Sequence, residues 1–434
     1  MPKLAIKGGQ AVRTKPFPGY RIMGEEEKKA ICDVIDSGIL SKYLGCWSPD
    51  FFGGPEVQAF EKEWAEYFGV KHAIAINSCS SGIQCAIGAA GISPGDEVIV
   101  SPYTMAVSAT APLIYGGIPV FADIEENYFC LDPKSVEERI TERTKAILVT
   151  DIFGQAYDAD AINAIAKKHN LIVIEDCAQA PGVKYRDKYA GTLGDIGVYS
   201  LNYHKHIHTG EGGVAVTDDD NLAERLQLIR NHAEAVVKGK GVKNLVNMVG
   251  YNLRFTELQA AIGRIQLKKL KGYLDERIKN CNYLSEKLSQ IPGLRVPGPR
   301  PHAEHAYYVQ PLLYDQKVTG VHRNIFIDAV AAELPPIELR EDEGTRLFYG
   351  GAEPLYLLPI FQERIAIGRD GFPFTSPHYK GRVSYERGIC PVVERLYKDE
   401  VVLHELMRPP ATQEDLDDVV KAFEKVYENR HELI

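Results

Sequence analysis

Lys205 and Asp176 are the two residues of this chain whose types and spacing could do chemistry together. Lys205 lies in the stretch 200–213, which reads S-L-N-Y-H-K-H-I-H-T-G-E-G-G. A strand-like run precedes it and a glycine-rich turn follows it. A lone lysine amine in such a place condenses with carbonyls and can anchor a group covalently. Upstream, Asp176 closes the apolar run Val173-Ile174-Glu175-Asp176. An aspartate that faces a pyridinium nitrogen keeps the ring protonated and electron-withdrawing. Together the two residues form the halves of a pyridoxal phosphate site. A lysine and an aspartate taken out of context are usually two solvated charges, so the rest of the constellation decides.

A phosphate needs several N–H or O–H donors at a helix N-terminus. Asn77-Ser78-Cys79-Ser80-Ser81-Gly82 follows the apolar run 73–76 and opens a helix expected over 83–90. Such a run also caps helices routinely, with no ligand involved. Ser200, ending its own strand, adds a hydroxyl. Asn252, in Gly250-Tyr251-Asn252-Leu253-Arg254, is a further candidate that the sequence does not place near the cup. His204, His206 and His208 flank the lysine, and imidazoles two apart on a strand share a face. No carboxylate or cysteine stands beside them at ligand spacing, so they read as packing around a cofactor or substrate and no metal is expected. No G-x-G-x-x-G follows a strand, and no G-x-x-x-x-G-K-[ST] occurs.

The elements that must position these residues alternate. Apolar runs at 73–76, 97–100, 120–122, 146–149, 171–174, 197–199 and 214–216 predict strands. Helical segments such as 133–140 and 158–168 lie between them. That alternation predicts an α/β domain with a mostly parallel sheet covered on both faces. Ligands of such sheets sit at the carboxyl ends of the strands, where Asp176 and Ser200 lie. A long helix is expected over 256–291, a Pro/Gly-rich linker or turn over 292–301, a smaller α+β region beyond it, and a closing helix over 413–429. The aromatic, Gly/Pro-rich stretch near 338–388 reads as an ordered insertion. The chain therefore divides into a large domain with an N-terminal arm, 1–255, and a linker helix with a small C-terminal domain, 256–434.

Composition narrows the classes further. The chain has 434 residues, 45% of them hydrophobic and 25% charged, as expected of a soluble globular protein of two domains. A net charge of −9 argues against a nucleic-acid partner, which needs a basic face. The first residues lack the apolar core of a signal peptide, and no apolar run approaches the roughly 20 residues of a membrane span. Eight scattered cysteines without a CxxC pair are expected to stay reduced, which favours the cytoplasm.

The order and spacing of these pieces resemble the DegT/StrS family of pyridoxal phosphate-dependent sugar aminotransferases, which have the fold type I of aspartate aminotransferase. The resemblance runs over most of the chain. It includes Gly54-Pro55-Glu56-Val57 with Phe60-Glu61, Asn77 to Ser81, and Pro94-Gly95-Asp96-Glu97-Val98-Ile99. It continues through Thr144-Lys145-Ala146-Ile147, Glu175-Asp176-Cys177-Ala178-Gln179, Gly194-Asp195-Ile196-Gly197, Thr209 to Gly213, Gly250 to Arg254, and Pro391-Val392 with Glu394.

The resemblance implies a role for each matching residue. Lys205 is similar to the Schiff-base lysine, with Ser200 five residues before it and Gly210 five after. Asp176 is similar to the pyridinium partner, and Gln179 to the residue near the cofactor's phenolic oxygen. Cys79, through its backbone, Ser80 and Ser200 are similar to the phosphate donors. Asn252 is similar to a residue that reaches the phosphate from a partner subunit, which implies a homodimer with shared sites. Met105 stands where the family usually has an aromatic residue on the pyridine ring, and Asp151 replaces a common histidine. The activity implied is transfer of an amino group from L-glutamate or L-glutamine to a keto group of a sugar, a nucleotide-linked sugar or a cyclitol. The alternatives are a dehydratase or lyase on the same fold, since one branch carries histidine at the lysine position, and a non-catalytic or metal-binding protein using the histidines.

Overall fold

The computed structural model describes residues 3–338 and 347–434. Seven strands form one sheet: β1 (His72–Ile76), β2 (Glu97–Val100), β3 (Ile118–Phe121), β4 (Thr144–Thr150), β5 (Ile172–Asp176), β8 (Ile196–Ser200) and β9 (Gly213–Thr217). The short strands β6 (Lys184–Tyr185) and β7 (Lys188–Tyr189) make a separate ribbon. The sheet order is β1-β9-β8-β5-β4-β2-β3, and β9 alone runs against the other six. β2, β8 and β9 are buried along their whole length, which is why they read as continuous apolar runs instead of alternating ones. Helices on its faces start at side-chain caps: Ser78, Asp132, Asp158 and Asp219 each accept a hydrogen bond from the first turn that follows. This is the α/β, fold type I architecture that the sequence predicts.

Two boundaries differ from expectation for physical reasons. The helix expected at 83 begins at Cys79, because the Ser78 side chain accepts the Ser81 N–H and so starts the helix inside a Ser/Gly run that propensity alone reads as loop. The strand expected at 120–122 is β3, starting at Ile118. It includes Pro119, tolerated because β3 is the edge of the sheet and one face of its backbone needs no partner.

The helix Glu257–Leu288 opens with a reciprocal cap between Thr256 and Gln259 and is 32 residues long, about 48 Å at the helical rise. Its first half packs Ala260, Leu267, Leu270 and Leu274 into the core around the large sheet. Its second half packs Cys281, Leu284 and Leu288 into a second core with Phe326, Phe423 and Val426. That second core lies against an antiparallel sheet of β10 (Leu294–Arg295), β11 (Gln310–Tyr314) and β12 (Val401–His404). The segment expected as a linker, 292–301, thus contributes β10. The closing helix is Gln413–Glu428.

Part of the expected insertion, 339–346, lies outside the described residues. The remainder packs across the β3 edge. Tyr356, Phe361 and Tyr385 set their rings edge-on or tilted against Phe121, 5.3–5.6 Å away. The Tyr385 hydroxyl donates to the Pro119 carbonyl at 2.8 Å, and Tyr379 donates to the buried carboxylate of Glu97 at 3.0 Å. At its other end the Leu355 N–H donates to Pro102 O, and the Tyr103 hydroxyl to Gly350 O.

Candidate active site

Asp176 is the last residue of β5 and is 3% exposed. Its Oδ1 accepts the Ala178 N–H at 3.1 Å and its Oδ2 the Ser108 hydroxyl at 3.1 Å. The Cys79 thiol lies 3.9 Å from Oδ1. Burial raises this carboxyl above the usual carboxylate range, while the Ala178 N–H, the nearby Lys205 charge and Ser108 pull it back. Burial and the Asp176 charge hold the Cys79 sulfur well up, as a thiol that donates. The donors orient the carboxylate, and a cation opposite it would complete the arrangement.

Lys205 sits in a closed loop after β8. Leu201 N–H donates to Gly212 O, Thr209 N–H to Leu201 O and Lys205 N–H to Asn202 O. The side chain is 9% exposed, with Nζ 4.1 Å above the Tyr308 ring. Tyr308 is placed by a distant segment: its N–H donates to Phe153 O, and that of Ala306 to Gly154 O. The flanking histidines do not compete for the lysine's position. His206 is fully buried; its Nε2–H donates to Ala306 O at 2.9 Å, and burial and Arg277 hold it well below the usual histidine range, hence neutral. His204 packs on Tyr203, ring centroids 3.7 Å apart. Among the described residues no group of three His, Cys, Asp or Glu side chains is placed to hold a metal ion.

The first N–H groups of a helix have no partner inside it. Ser78 takes that of Ser81, which leaves those of Cys79 and Ser80 for an anion. Gly213 lets β9 pass this helix start: a Cβ there would lie 2.6 Å from Cys79 N. Ser200 ends β8 beside it, 6% exposed, its Oγ accepting from Asn202 N–H and keeping its own proton to donate. Gln179, 9% exposed, fixes its amide by accepting the Phe153 N–H on Oε1 at 2.7 Å, so its NH₂ end is the one left to donate. Phe153 has φ 60°, an outlier for a bulky residue, and this bond helps hold it.

The chain therefore brings Asp176, Cys79, Ser80, Gln179, Ser200 and Lys205 to one end of the sheet. Met105 lies in the turn before the helix that carries Ser108, and is 67% exposed. Asn252 is exposed on a bridge to Asn231 and is not brought into the cluster by its own chain. Asp151 is fully buried, accepting the Tyr157 N–H on Oδ1 at 3.0 Å. Burial and the neighbouring Glu175 hold it well above the usual carboxylate range, as a neutral acid. Glu175 in turn accepts the N–H groups of Gly191, Leu193 and Gly194. Sequence reasoning missed Ser108 and Tyr308. Neither is at a strand end or in a motif, and their partners lie 68 and about 100 residues away in sequence.

These residues fit pyridoxal phosphate. A helix-start anion cup, a buried oriented carboxylate, an amide donor and a lysine amine are the donor set that its phosphate, ring nitrogen, phenolic oxygen and carbonyl require. The fold and site define a fold type I enzyme that works with that cofactor. The sequence pattern of the DegT/DnrJ/EryC1/StrS aminotransferase family matches residues 24–376, and the chain belongs to this family. The spore coat polysaccharide biosynthesis protein SpsC of Bacillus subtilis is 33% identical over 407 residues, covering 92% of this chain and 94% of its own. The L-glutamine:2-deoxy-scyllo-inosose aminotransferase of Streptomyces lividus is 31% identical over 450 residues, covering 99% of each. Among solved structures, the aminotransferase from Psychrobacter cryohalolentis superposes with a TM-score of 0.78 at 28% identity, over 96% of this chain and 100% of that one. Among the described residues no helix is long and apolar enough to cross a membrane.

Proposed function

We propose that this aminotransferase moves an amino group from L-glutamate or L-glutamine to a keto group of a sugar, a nucleotide-linked sugar or a cyclitol. The observation that carries the reading is the convergence of Lys205 and Asp176, both buried, at the ends of β8 and β5. The full-length likeness to a glutamine-dependent inosose aminotransferase supports the donor and the cyclitol class of acceptor.

When bound, pyridoxal phosphate supplies an electron sink for the donor carbon that loses a proton. Lys205 Nζ anchors the cofactor, then takes the proton from the donor's α-carbon and later returns one, as base and then acid. Asp176 holds a proton on the ring nitrogen through its charge. Cys79 N–H, Ser80 and Ser200 hold the phosphate, and Gln179 donates toward the phenolic oxygen. Met105, exposed in the chain alone, would cover the ring by thioether packing in place of an aromatic residue. A lysine at 205, instead of a histidine, supports transamination over dehydration.

Asn252 reaches the phosphate of a second copy, which makes the working form a homodimer with shared sites. Its exposure, with exposed Leu44, Val249 and Tyr251 on segments joined to the same region, supports this. The large domain is 1–255 and the small one 256–434. Eight unpaired cysteines support a reducing, cytoplasmic setting.

The test is the visible absorption of the purified protein before and after L-glutamate, then L-glutamine. A cofactor band that bleaches with one of them, and returns on adding a keto-sugar or keto-cyclitol, is the expected result. A band that persists with both donors, or its absence after adding pyridoxal phosphate, would refute the reading.

A further inference from the structure

The turn after β4 carries a residue in a conformation that its type disfavours. Phe153 has φ 60° and ψ 0°, in the left-handed region, where a glycine sits freely and a bulky side chain does not. Its ring is buried, edge-on to Tyr103 at 5.8 Å and to Phe129 at 5.3 Å. Tyr103 is itself pinned, its hydroxyl donating to Gly350 O at 3.2 Å. A ring that only filled the core could do so from an ordinary backbone angle. Strain of this kind persists where the surrounding structure over-determines it, and such places cluster at functional sites.

The two ends of this residue hold two side chains of the site. Phe153 N–H donates to Gln179 Oε1 at 2.7 Å, and Phe153 O accepts the Tyr308 N–H at 2.8 Å. Gln179 is the amide turned to donate, and Tyr308 carries the ring 4.1 Å from Lys205 Nζ. The neighbours of Phe153 repeat the pattern. Asp151 N–H donates to Asp176 O at 3.0 Å, and Gly154 O accepts the Ala306 N–H at 2.8 Å. Gln155 bridges to His305. The segment 305–308 lies so close to the turn that a Cβ at Gly154 would stand 2.7 Å from Tyr307 N. A single turn of backbone thus ties together Asp176, Gln179 and, through Tyr308, Lys205. Rotating Phe153 into the helical or extended region would turn its N–H and its C=O relative to one another, so both bonds could not be kept.

We infer that Phe153 is a positioning residue of this enzyme: its left-handed backbone, held by the ring between Tyr103 and Phe129, sets Gln179 and the Tyr308 ring together. This deepens the reading of the site as one for pyridoxal phosphate and rests on it. In that reading the Gln179 amide donates toward the cofactor's phenolic oxygen, and a donor there favours the oxygen's anion. The Tyr308 ring faces the Lys205 amine, where an aromatic face attracts a cation. Because one residue holds both, the two contacts are kept or lost together.

The experiment separates the backbone angle from the ring. Phe153→Gly deletes the ring and keeps the angle open. Phe153→Val deletes the ring and refuses the angle, since a β-branched side chain does not sit there. Both are expected to lower the thermal midpoint, as any emptied core site would. The decisive readout is the pH midpoint of the bound cofactor's visible band. Phe153→Val is expected to move it upward by about half a unit or more, and Phe153→Gly to leave it near the wild-type value. Equal shifts in the two variants, or none in either, would overturn the assignment, because a residue that only packs acts through its ring or not at all. Should Phe153→Val not fold, Phe153→Ala takes its place, adding a single Cβ to the glycine variant. It is expected to shift the midpoint further than Phe153→Gly does, and the same midpoint in both would overturn the assignment too. No visible band in the wild type would refute the cofactor reading itself, and a second measurement then still decides the positioning. Acylation of Lys205 by an amine-selective reagent, read by mass spectrometry, is expected to run about threefold faster or more in Phe153→Val than in the wild type, and not in Phe153→Gly. The same rate in both variants would count against Phe153 as a positioning residue.

Discussion

The two ends of the proposed cofactor site are built by different means. At the proposed phosphate end the groups offered are backbone N–H groups at the start of the helix Cys79–Ala89, half open to solvent and backed by a glycine on β9. At the ring end the key group is a side chain, Asp176, dry and held by Ser108, Ala178 and Cys79. Cys79 belongs to both, with its N–H in the cup and its thiol on Asp176. The difference teaches that holding and reacting are separable here. The cup depends on where the chain runs, and side-chain identity matters little. The ring end depends on a few buried side chains whose partners come from far along the sequence.

Variants can break that contrast, beginning with the largest effect. Lys205→Ala is expected to lower turnover by more than about 10³-fold, since it removes both the anchor and the proton carrier. The cup should still retain the cofactor non-covalently, seen as bound phosphate after gel filtration. Loss of binding together with turnover would mean that the two ends are not separable. Asp176→Asn keeps the shape and removes the charge, so turnover should fall about 10²-fold or more with the cofactor still bound; an unchanged rate would remove Asp176 from its role.

Gly213→Ala probes the cup through its backbone. The added carbon would lie 2.6 Å from Cys79 N, and backbone must shift to admit it. A stability loss of about 1–3 kcal/mol with weakened cofactor binding is expected by denaturant melts and equilibrium dialysis. Asp151→Asn tests the neutral acid behind the ring end. Its folded-state affinity for a proton is raised, so between the usual carboxylate range and that raised value the folded chain holds a proton that the unfolded chain has lost. Wild-type stability should therefore fall as pH rises from about 4. The Asn variant should lose that part of the slope, and an identical slope would show Asp151 ionised. Ser80→Ala should be the mildest, within about threefold in cofactor affinity, because the N–H it offers is unchanged. A loss comparable to that of Gly213→Ala would show that the cup is held by hydroxyls after all.

The same contrast explains what could be read in the sequence. Strands buried on both faces read as apolar runs, so the sheet and the strand ends carrying Asp176 and Ser200 were legible. Lys205 was legible because it is the single lysine of its loop. The start of the helix at Cys79 was set four residues late, because a Ser/Gly run has low helix propensity even where a local Ser78 cap starts the helix. Ser108 and Tyr308 were not legible, because nothing local sets them apart. Each acquires meaning from a partner brought in by tertiary packing, the Asp176 carboxylate for Ser108 and the Lys205 amine for Tyr308. The insertion's place on the edge strand β3 was hidden for the same reason: its aromatics announce burial without saying against what.

The helix Glu257–Leu288 is a structural member of both cores at once, like a beam set into two walls. Neither core can melt without releasing half of that beam, and a helix half cut loose from its packing has little reason to persist. Amide exchange along it should therefore be uniformly slow, and the chain should unfold in one transition in spite of its two hydrophobic centres. The same continuity gives the enzyme a rigid ruler between β8, with its lysine loop, and the turn at Glu405–Arg408. The distance between the reacting amine and the second core is then set once, by a single secondary-structure element, instead of being renegotiated across a flexible joint.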